Sequence, residues 1–258
     1  MLKLNYYWRL FATAIAFSLF GIGGVFIPLI ALPVFYLLPG GLAERQVRTR
    51  KLVHQTFRIF IRIMRLLGIL SWNITGLDKL RRPGILVLAN HPTLLDVVFL
   101  IAFIPNADCI VKSRLMKNPA MRGFVILTGY ITNDGADTLI DNARSSLKQG
   151  NTLIIFPEGT RTKPGQDIIF QRGAANIIVR SGSAPTPVII ECTPLTLSKQ
   201  HKWYHIPERK FNLTFRVLND INIDSFMTTN PSLGARHLTR YLENFFATEL
   251  QINKHETT

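Results

Sequence analysis

Residues 85–96 read Ile-Leu-Val-Leu-Ala-Asn-His-Pro-Thr-Leu-Leu-Asp, an apolar run followed by polar residues. A short continuous apolar run that ends in a polar turn predicts a strand buried on both faces. Pro92 keeps His91 out of helical dihedral angles and suits the first turn of a following helix. We therefore expect His91 at the carboxyl end of a parallel strand, the edge at which open α/β sheets bind ligands.

A second buried-type strand, Thr152–Phe156, ends in a polar cluster of the sequence Pro-Glu-Gly-Thr-Arg at residues 157–161. Gly159 permits close backbone approach, and Arg161 offers a planar fork that suits a phosphate group. Glu158 can hydrogen-bond a hydroxyl of a polyol or steady a neighbouring base. Both polar clusters should leave the same edge of the sheet.

The alternation of short apolar runs with helical patterns from residue 72 to residue 223 predicts an α/β fold, a mostly parallel sheet flanked by helices. The predicted strands are Ile85–Ala89, Cys109–Val111, Thr152–Phe156, Val188–Glu191 and Asn212–Val217. The predicted helices are Thr93–Phe103, Pro119–Thr128, Asp137–Lys148, Ala174–Arg180 and Ser232–Leu250. We divide the chain into membrane-embedded and interfacial helices over residues 1–70 and a catalytic domain over residues 71–258.

An uncharged segment from Leu10 to Leu38 is long enough to cross a hydrocarbon core of about 30 Å as a helix. Pro28 and Pro33 favour a bend, so a kinked span and a re-entrant segment are both open. Four basic residues follow the segment and two precede it, which predicts that the rest of the chain is cytoplasmic. Those four are Arg45, Arg48, Arg50 and Lys51. The stretch Lys51–Leu70 then predicts a basic amphipathic helix, which packs either on anionic lipid or on the core.

The composition joins a net charge of +14 to a hydrophobic content of 47%, which favours an anionic membrane surface as partner. No zinc-finger, RNP-type or helix-turn-helix signature is present, so nucleic acid is not an expected partner. The two cysteines, Cys109 and Cys192, lack a Cys-x-x-Cys spacing and predict neither a disulfide framework nor a zinc site. We expect no metal and no prosthetic group.

His91 and Asp96 can form a general base and the carboxylate that orients it. A carboxylate bound to one ring nitrogen fixes the imidazole tautomer and favours the imidazolium that proton abstraction produces. No Gly-x-Ser-x-Gly elbow supplies a nucleophile, so the nucleophile would be the hydroxyl of the substrate. The alternative is a helix-capping Asp96 beside an unrelated histidine.

The two clusters together resemble the signatures of the lysophosphatidate acyltransferase-type family, His-x4-Asp and Phe-Pro-Glu-Gly-Thr-Arg. They stand here at His91–Asp96 and Phe156–Arg161, and the resemblance covers roughly residues 76–220. It implies an O-acyltransferase that moves a fatty acyl chain from acyl-carrier protein or acyl-coenzyme A to the hydroxyl of a lysolipid such as 1-acylglycerol-3-phosphate. It also implies a membrane location, in bacteria the inner membrane, with the catalytic domain on the cytoplasmic face.

The resemblance implies roles for individual residues as well. His91 would be the general base and Asp96 its partner. The acceptor would be bound by Glu158, Gly159, Thr160 and Arg161, and Lys112 would lie near the thioester or the oxyanion.

One segment departs from the family, which usually reads Gly-x-x-Phe-Ile-Asp-Arg with an arginine that helps to bind phosphate. Residues 129–135 read Gly-Tyr-Ile-Thr-Asn-Asp-Gly here, without that arginine. Arg172 could substitute for it, or it is a solvated residue at a helix start. The departure leaves open an acyltransferase of a dedicated fatty-acid-type pathway whose acceptor is not lysophosphatidate.

Other classes of function remain open at this stage. A membrane-bound lipase or thioesterase would use the same His91 and Asp96 but release the acyl group to water. A non-enzymatic basic membrane-binding module would not need His91 at all. A metal hydrolase is disfavoured because the histidines lack paired-ligand spacing near the two strands.

Overall fold

A computed structural model describes residues 2–117, 119–133, 135–163 and 165–256 of the chain. Within these residues there are seven α-helices and one sheet, and two of the helices precede the first strand. The helices are α1 (Leu2–Leu37), α2 (Leu42–Leu66), α3 (Asp96–Phe103), α4 (Pro119–Thr128), α5 (Ala136–Lys148), α6 (Arg172–Ser181) and α7 (Pro231–Glu256). Short 3-10 segments at Leu77–Arg81, Ser113–Lys117 and Asp224–Phe226 connect some of them.

Seven strands form the sheet in the spatial order β1-β7-β6-β2-β5-β3-β4. The strands are β1 (Leu70–Thr75), β2 (Leu86–Ala89), β3 (Ala107–Val111), β4 (Ile131–Thr132), β5 (Thr152–Ile155), β6 (Pro185–Thr193) and β7 (Phe211–Val217). All neighbouring pairs are parallel except β6 and β7, which are antiparallel. The predicted fold class, a mostly parallel sheet flanked by helices, is confirmed.

The central strands are buried on both faces and separate two apolar cores. Side chains alternate along β2, so that Val87 and Ala89 face the core under α1 to α4. Leu86 and Leu88 face the core under α5, α6 and α7. Because both faces are covered, the sheet needs apolar residues at every position of these strands, which explains the continuous apolar runs in the sequence.

All five predicted strands and all five predicted catalytic-region helices are present, and all but Pro119–Thr128 have shifted boundaries. Two strands were missed. The stretch Leu70–Thr75 begins directly after α2 and was assigned in part to that helix, whereas Ile131–Thr132 is too short to give a period. The helix predicted over Lys51–Leu70 lies instead at Leu42–Leu66, because Gly68 takes a left-handed φ of 76° and ends the helical turn.

Helix α2 resolves one alternative left open by the sequence. Its side chains Ile61 and Met64 are buried in the core, so the predicted apolar stripe packs on the protein. Arg58, Arg62 and Arg65 lie on another side and are exposed.

Helix α1 runs through Pro28 and Pro33 without interruption of its helical assignment. Its residues Leu4–Leu37 form the one helix of the described chain that is long and apolar enough to cross a membrane. Only 6% of its most apolar window is buried in the protein. A helix of that length spans about 50 Å, more than the roughly 30 Å of a hydrocarbon core. The exposed apolar surface of α1 indicates membrane association.

Candidate active site

The two polar clusters predicted from the sequence lie side by side at the centre of the sheet. Strands β2 and β5 are parallel neighbours, with Leu88 paired to Ile155. The chain leaves both strands at the same edge, so His91 and Phe156 emerge next to each other. The expectation that the two motifs share one sheet edge is therefore confirmed by the strand order.

The imidazole of His91 and the carboxylate of Asp96 are hydrogen-bonded, with 2.9 Å between Nδ1 and Oδ2. Asp96 is the first residue of α3 and is fully buried, while 18% of the His91 side chain is exposed. Because a carboxylate only accepts hydrogen bonds, Nδ1 carries the proton, and in the neutral imidazole Nε2 then presents a lone pair. This tautomer is the one that a general base requires.

Thr93 fixes the carboxylate in turn. Its backbone N–H donates to Asp96 Oδ2 over 2.7 Å, and its hydroxyl donates to Oδ1 over 2.5 Å. Complete burial raises the pKa of Asp96 above the usual carboxyl value, and the hydrogen bonds from His91 and Thr93 oppose that rise. The turn from Thr93 to Asp96 therefore supplies the contacts that favour the charged form of a buried acid.

Phe156 orients the ring of His91 from the other strand. The two ring centroids lie 4.3 Å apart with an angle of 28° between the planes, a stacked arrangement. Stacking restricts rotation of the imidazole about its side-chain bonds. In the sequence Phe156 was recognisable only as the first residue of a motif, and no pattern in the chain predicted this contact.

Glu158 ties the two motifs together. Its Oε1 accepts the backbone N–H of His91 over 2.7 Å, and its Oε2 accepts the hydroxyl of Thr162. The residue is only 5% exposed, and burial raises the pKa of its carboxyl. Of the two uses expected for Glu158, this geometry matches the steadying of a neighbouring base. A role of Glu158 in binding the acceptor stays a prediction.

Gly159 turns the chain after Glu158. It takes a left-handed φ of 65°, and its N–H donates to the carbonyl of Phe156 over 3.0 Å. A side chain at this position would meet Gln171 only at ordinary contact distance. The position therefore favours glycine for its backbone angle rather than for the lack of space.

A cavity of about 750 Å³ opens in front of His91. Its wall includes the predicted residues Lys112, Gly159, Thr160 and Arg161. Arg172, the first residue of α6, is exposed and is not part of this wall, although its neighbours Gln171 and Gly173 are. The structure thus brings five predicted residues, counting His91, to one cavity.

Two further cations line the cavity and were missed by the sequence analysis, Arg114 and Lys199. Arg114 lies in the 3-10 segment Ser113–Lys117, which follows β3 and Lys112, and Lys199 lies in the loop after β6. No aspartate or glutamate is found among the described residues of the wall. Lys199 could not have been found from spacing, because a long separation in sequence divides it from both motifs.

Arg161 also holds the loop after β6 in place. Its Nη1 donates to the carbonyls of Leu197 and Ser198 over 2.9 Å and 3.1 Å. The carbonyl of Leu197 accepts a further hydrogen bond from the N–H of Leu94 over 3.0 Å. Leu197 has a φ of 51°, a left-handed conformation that a bulky residue rarely adopts. These hydrogen bonds offset that strain and position the loop that carries Lys199.

Asn90 extends the sheet by one residue before His91. Its amide donates to the carbonyl of Ile190 over 2.8 Å and accepts the N–H of Ile190 over 2.7 Å. A buried side chain thus supplies hydrogen-bond partners to the backbone of Ile190 in β6 at the point where β2 ends. The contact places His91 relative to the sheet and was not predicted.

The segment that departs from the family lies beside the cavity. Asn133 is part of the wall, and Gly135 precedes α5. Asp134, which was expected to present a negative charge here, lies outside the described residues. No group of three or more His, Cys, Asp or Glu side chains that could hold a metal ion occurs in the described chain.

Comparison with known proteins identifies the region that carries this geometry. The family model named Acyltransferase matches residues 71–191, the stretch that contains both motifs. This stretch is an acyltransferase-family domain. The resemblance to the lysophosphatidate acyltransferase-type family is confirmed.

Several curated proteins are similar to the acyltransferase domain. The 1-acyl-sn-glycerol-3-phosphate acyltransferase of Helicobacter pylori is 33% identical over 112 residues, which are 41% of this chain and 47% of that protein. The protein of the same name from Pseudomonas aeruginosa is 25% identical over 160 residues, 60% of this chain and 62% of that protein. The match spans less than two thirds of either relative.

A solved structure shares the whole fold. The crystal structure of the 1-acyl-sn-glycerophosphate (LPA) acyltransferase PlsC from Thermotoga maritima matches with a TM-score of 0.71. The match covers 98% of both chains at 22% sequence identity. It shows that the acyltransferase domain, together with α1 and α2, has the architecture of that protein.

Proposed function

We propose that this chain is an O-acyltransferase that moves a fatty acyl group from an acyl thioester to the hydroxyl of a lysolipid such as 1-acylglycerol-3-phosphate. The observation that carries the proposal is the His91–Asp96 pair, whose imidazole lines a cavity that is also lined by cations. The names of the curated relatives agree with it. The donor is acyl-carrier protein or acyl-coenzyme A.

The proposed reaction is direct attack with His91 as general base. Nε2 takes the proton of the acceptor hydroxyl, and the oxygen attacks the thioester carbonyl. Asp96 stabilises the imidazolium. When the tetrahedral intermediate collapses, the C–S bond breaks and the imidazolium returns its proton to the leaving thiolate. General-base catalysis of this kind contributes about 10²–10⁴-fold to a rate.

An acyl-enzyme on cysteine has little support from the thiols of this chain. Burial raises the pKa of Cys109 well above its usual value. Burial also raises the pKa of Cys192 to about 12. A thiol with so high a pKa is almost entirely protonated at neutral pH and is a poor nucleophile. The acceptor hydroxyl is the simpler nucleophile.

The four cations of the cavity would bind the acidic head group of the acceptor. These cations come from three segments of the chain and are Lys112, Arg114, Arg161 and Lys199. Phosphate oxygens suit the planar fork of arginine and the point charge of lysine. Two of these residues can take the place of the arginine that the segment 129–135 lacks.

The acyl chains would lie on the side of the membrane helices. An apolar cavity of about 230 Å³ lies among α1 to α4 beside Leu94 and Leu95, which separate His91 from Asp96 in sequence. Phe17, Phe124 and Tyr130 contribute to its wall. A lysolipid held in a bilayer would reach the site from this side. The basic residues after α1 support a proposed position of the acyltransferase domain on the cytoplasmic face, in bacteria of the inner membrane.

The test is acyl transfer by the full chain in detergent from labelled acyl-carrier protein and acyl-coenzyme A to a set of lysolipids. Esterified lipid should form with wild-type protein and disappear with His91→Ala. The matched control is His237→Ala, which replaces an exposed histidine on α7 and should keep the activity.

The products separate this proposal from its alternatives. Free fatty acid without esterified lipid would indicate a lipase or thioesterase at the same site. Esterified lipid formed equally by His91→Ala would overturn the role of His91 as the base. Transfer to an uncharged acceptor in preference to all phosphate-bearing lysolipids would overturn the proposed acceptor class.

A further inference from the structure

A second concave basic surface lies at the other end of α3 from His91. We call it the α2 groove and define it by His54, Arg58, Arg62, Trp72 and Arg81. It encloses about 530 Å³ between α2, β1, the 3-10 segment Leu77–Arg81 and the residues that end α3. His91 stands before the first residue of α3, so the α2 groove and the active-site cavity are separate.

The charge of the α2 groove has one sign. Three guanidinium groups line it, those of Arg58, Arg62 and Arg81, and the described wall contains no carboxylate. Some arginines elsewhere in the described chain form ion pairs, as Arg82 does with Asp220 over 2.8 Å. For the three groove arginines no ion pair is found within the part of the chain that the structure describes. A concave surface with three such groups attracts an anion.

The neighbouring side chains shape the α2 groove. The guanidinium of Arg65 lies 4.9 Å above the ring of Trp72, a cation–π contact that keeps one wall of the groove in place. His54 Nδ1 lies 2.8 Å from the carbonyl of Ile101. Because a carbonyl accepts, Nδ1 carries the hydrogen, and the ring position of His54 is fixed at the groove wall.

The α2 groove adjoins an exposed apolar surface. On α2, Ile59 is 57% exposed and directly follows the groove residue Arg58. Leu66 is 86% exposed and directly follows Arg65. Helix α1, which packs on α2 through the contacts of Phe20 with Phe57 and Phe60, adds its own exposed apolar residues. A basic stripe beside an apolar stripe is the pattern of a helix that lies at a membrane interface.

We propose that the α2 groove binds the phosphate group of an anionic membrane lipid while the acyl chains of that lipid rest on the apolar surface of α1 and α2. The groove is concave and has room for a group of the size of a lipid head group. A folded acidic protein would need a much larger contact area. The adjoining apolar residues match a lipid and have no counterpart in an inorganic anion. The site does not depend on the proposed acyl transfer.

Vesicle binding without substrates tests the proposal. The full chain is transferred from detergent to vesicles of phosphatidylcholine, with or without phosphatidic acid, and the bound fraction is measured after flotation at two salt concentrations. Arg58→Gln/Arg62→Gln removes two groove charges. Arg236→Gln/Arg240→Gln, with the same i, i+4 spacing on exposed positions of α7 at the other face of the sheet, is the matched control.

A basic residue near an anionic surface strengthens binding by about fivefold. The preference of the groove variant for vesicles with phosphatidic acid over vesicles without it should therefore fall more than tenfold. The preference of the α7 variant should fall less than twofold. Addition of Arg81→Gln should deepen the loss. Equal losses in the groove and α7 variants would overturn the proposal in favour of diffuse charge. Unchanged lipid binding with weakened binding of acyl-carrier protein would assign the groove to that acidic protein instead.

Discussion

Two buried carboxylates of this molecule each bind one basic side chain, and the two pairs do different work. Asp96 binds His91 over 2.9 Å at the carboxyl edge of the sheet. Asp108, on β3, binds Arg50 over 3.2 Å at the opposite edge. Both carboxylates are almost completely buried, and burial raises the pKa of each. Burial and pairing alone therefore do not separate the two.

The difference lies in what the basic partner has left to offer. Arg50 is 5% exposed and also donates to the carbonyl of Thr128 over 2.7 Å, while Ser146 donates to Asp108 over 2.6 Å. That network joins α2, α4, β3 and α5, and its four residues line neither the active-site cavity nor the α2 groove. His91 lines the large cavity, and among the described residues no hydrogen-bond partner is found for its Nε2. A buried pair serves chemistry when one of its atoms remains available to a substrate.

The largest expected effect is the loss of catalysis on replacement of His91. His91→Ala should lower kcat/KM for acyl transfer by about 10²–10⁴-fold, because the acceptor hydroxyl loses its base. The midpoint of thermal unfolding should change little, since the ring is partly exposed. Steady-state kinetics beside a thermal unfolding curve measures both. A stability loss large enough to explain the missing activity would contradict the division between the two pairs.

The next largest effect is expected at the Arg50–Asp108 pair. Here stability should fall, whereas catalysis should be kept. Arg50→Met should lower the free energy of unfolding by about 3–5 kcal/mol, because Asp108 remains buried without its cation. Denaturant unfolding in detergent micelles measures the loss. Acyl transfer per folded molecule should stay near the wild-type value, and a fall in kcat of the folded fraction would contradict the structural assignment.

The pH dependence of Arg50→Met sharpens the same comparison. Burial raises the pKa of Asp108, and Arg50 opposes that rise, so the variant should raise it further. An acid with a raised pKa in the folded state favours folding when it is protonated, and stability is lost as the pH rises through that pKa. The deficit of the variant should therefore shrink on going from pH 8 to pH 5. A deficit that grows at low pH would contradict it.

A smaller effect is expected at the residue that joins the two motifs. Glu158→Gln keeps an oxygen for the N–H of His91 but weakens the charge-assisted hydrogen bonds by about 1–2 kcal/mol. The variant should lower kcat about tenfold with little change in KM, since His91 is displaced rather than removed. Glu158→Ala should lower kcat further. Equal effects on kcat and on the KM of the acceptor would favour direct contact of Glu158 with substrate.

The sequence predicted the parts of the molecule that depend on local pattern. Continuous apolar runs identified β2 and β5, and Pro92 placed His91 at the start of a turn, so the His91–Asp96 geometry followed from spacing. The same reasoning counted Arg50 among the surface charges that follow α1. Only its distant partner Asp108 shows that it belongs to the interior, and a pairing across 58 residues leaves no local signal.

Contacts between distant segments account for the other misses. Phe156 stacks on His91, and Asn90 pairs with Ile190, because the strand order brings them together. Lys199 reaches the cavity through a loop held by Arg161. No period or motif encodes these approaches. Residues on two adjoining strands were predictable as a pair, whereas residues on returning loops needed the fold.

The smallest expected effect tests the cations that the sequence missed. Arg114→Gln and Lys199→Gln should each raise the KM for a phosphate-bearing lysolipid by about fivefold, because each removes one exposed charge from the cavity wall. The value of kcat should stay within about twofold, since neither residue touches the His91–Asp96 pair. Lys148→Gln, an exposed lysine at the end of α5, is the matched control. If the KM for the thioester donor rises instead of that for the acceptor, these cations bind phosphate groups of the donor, and the head-group assignment fails.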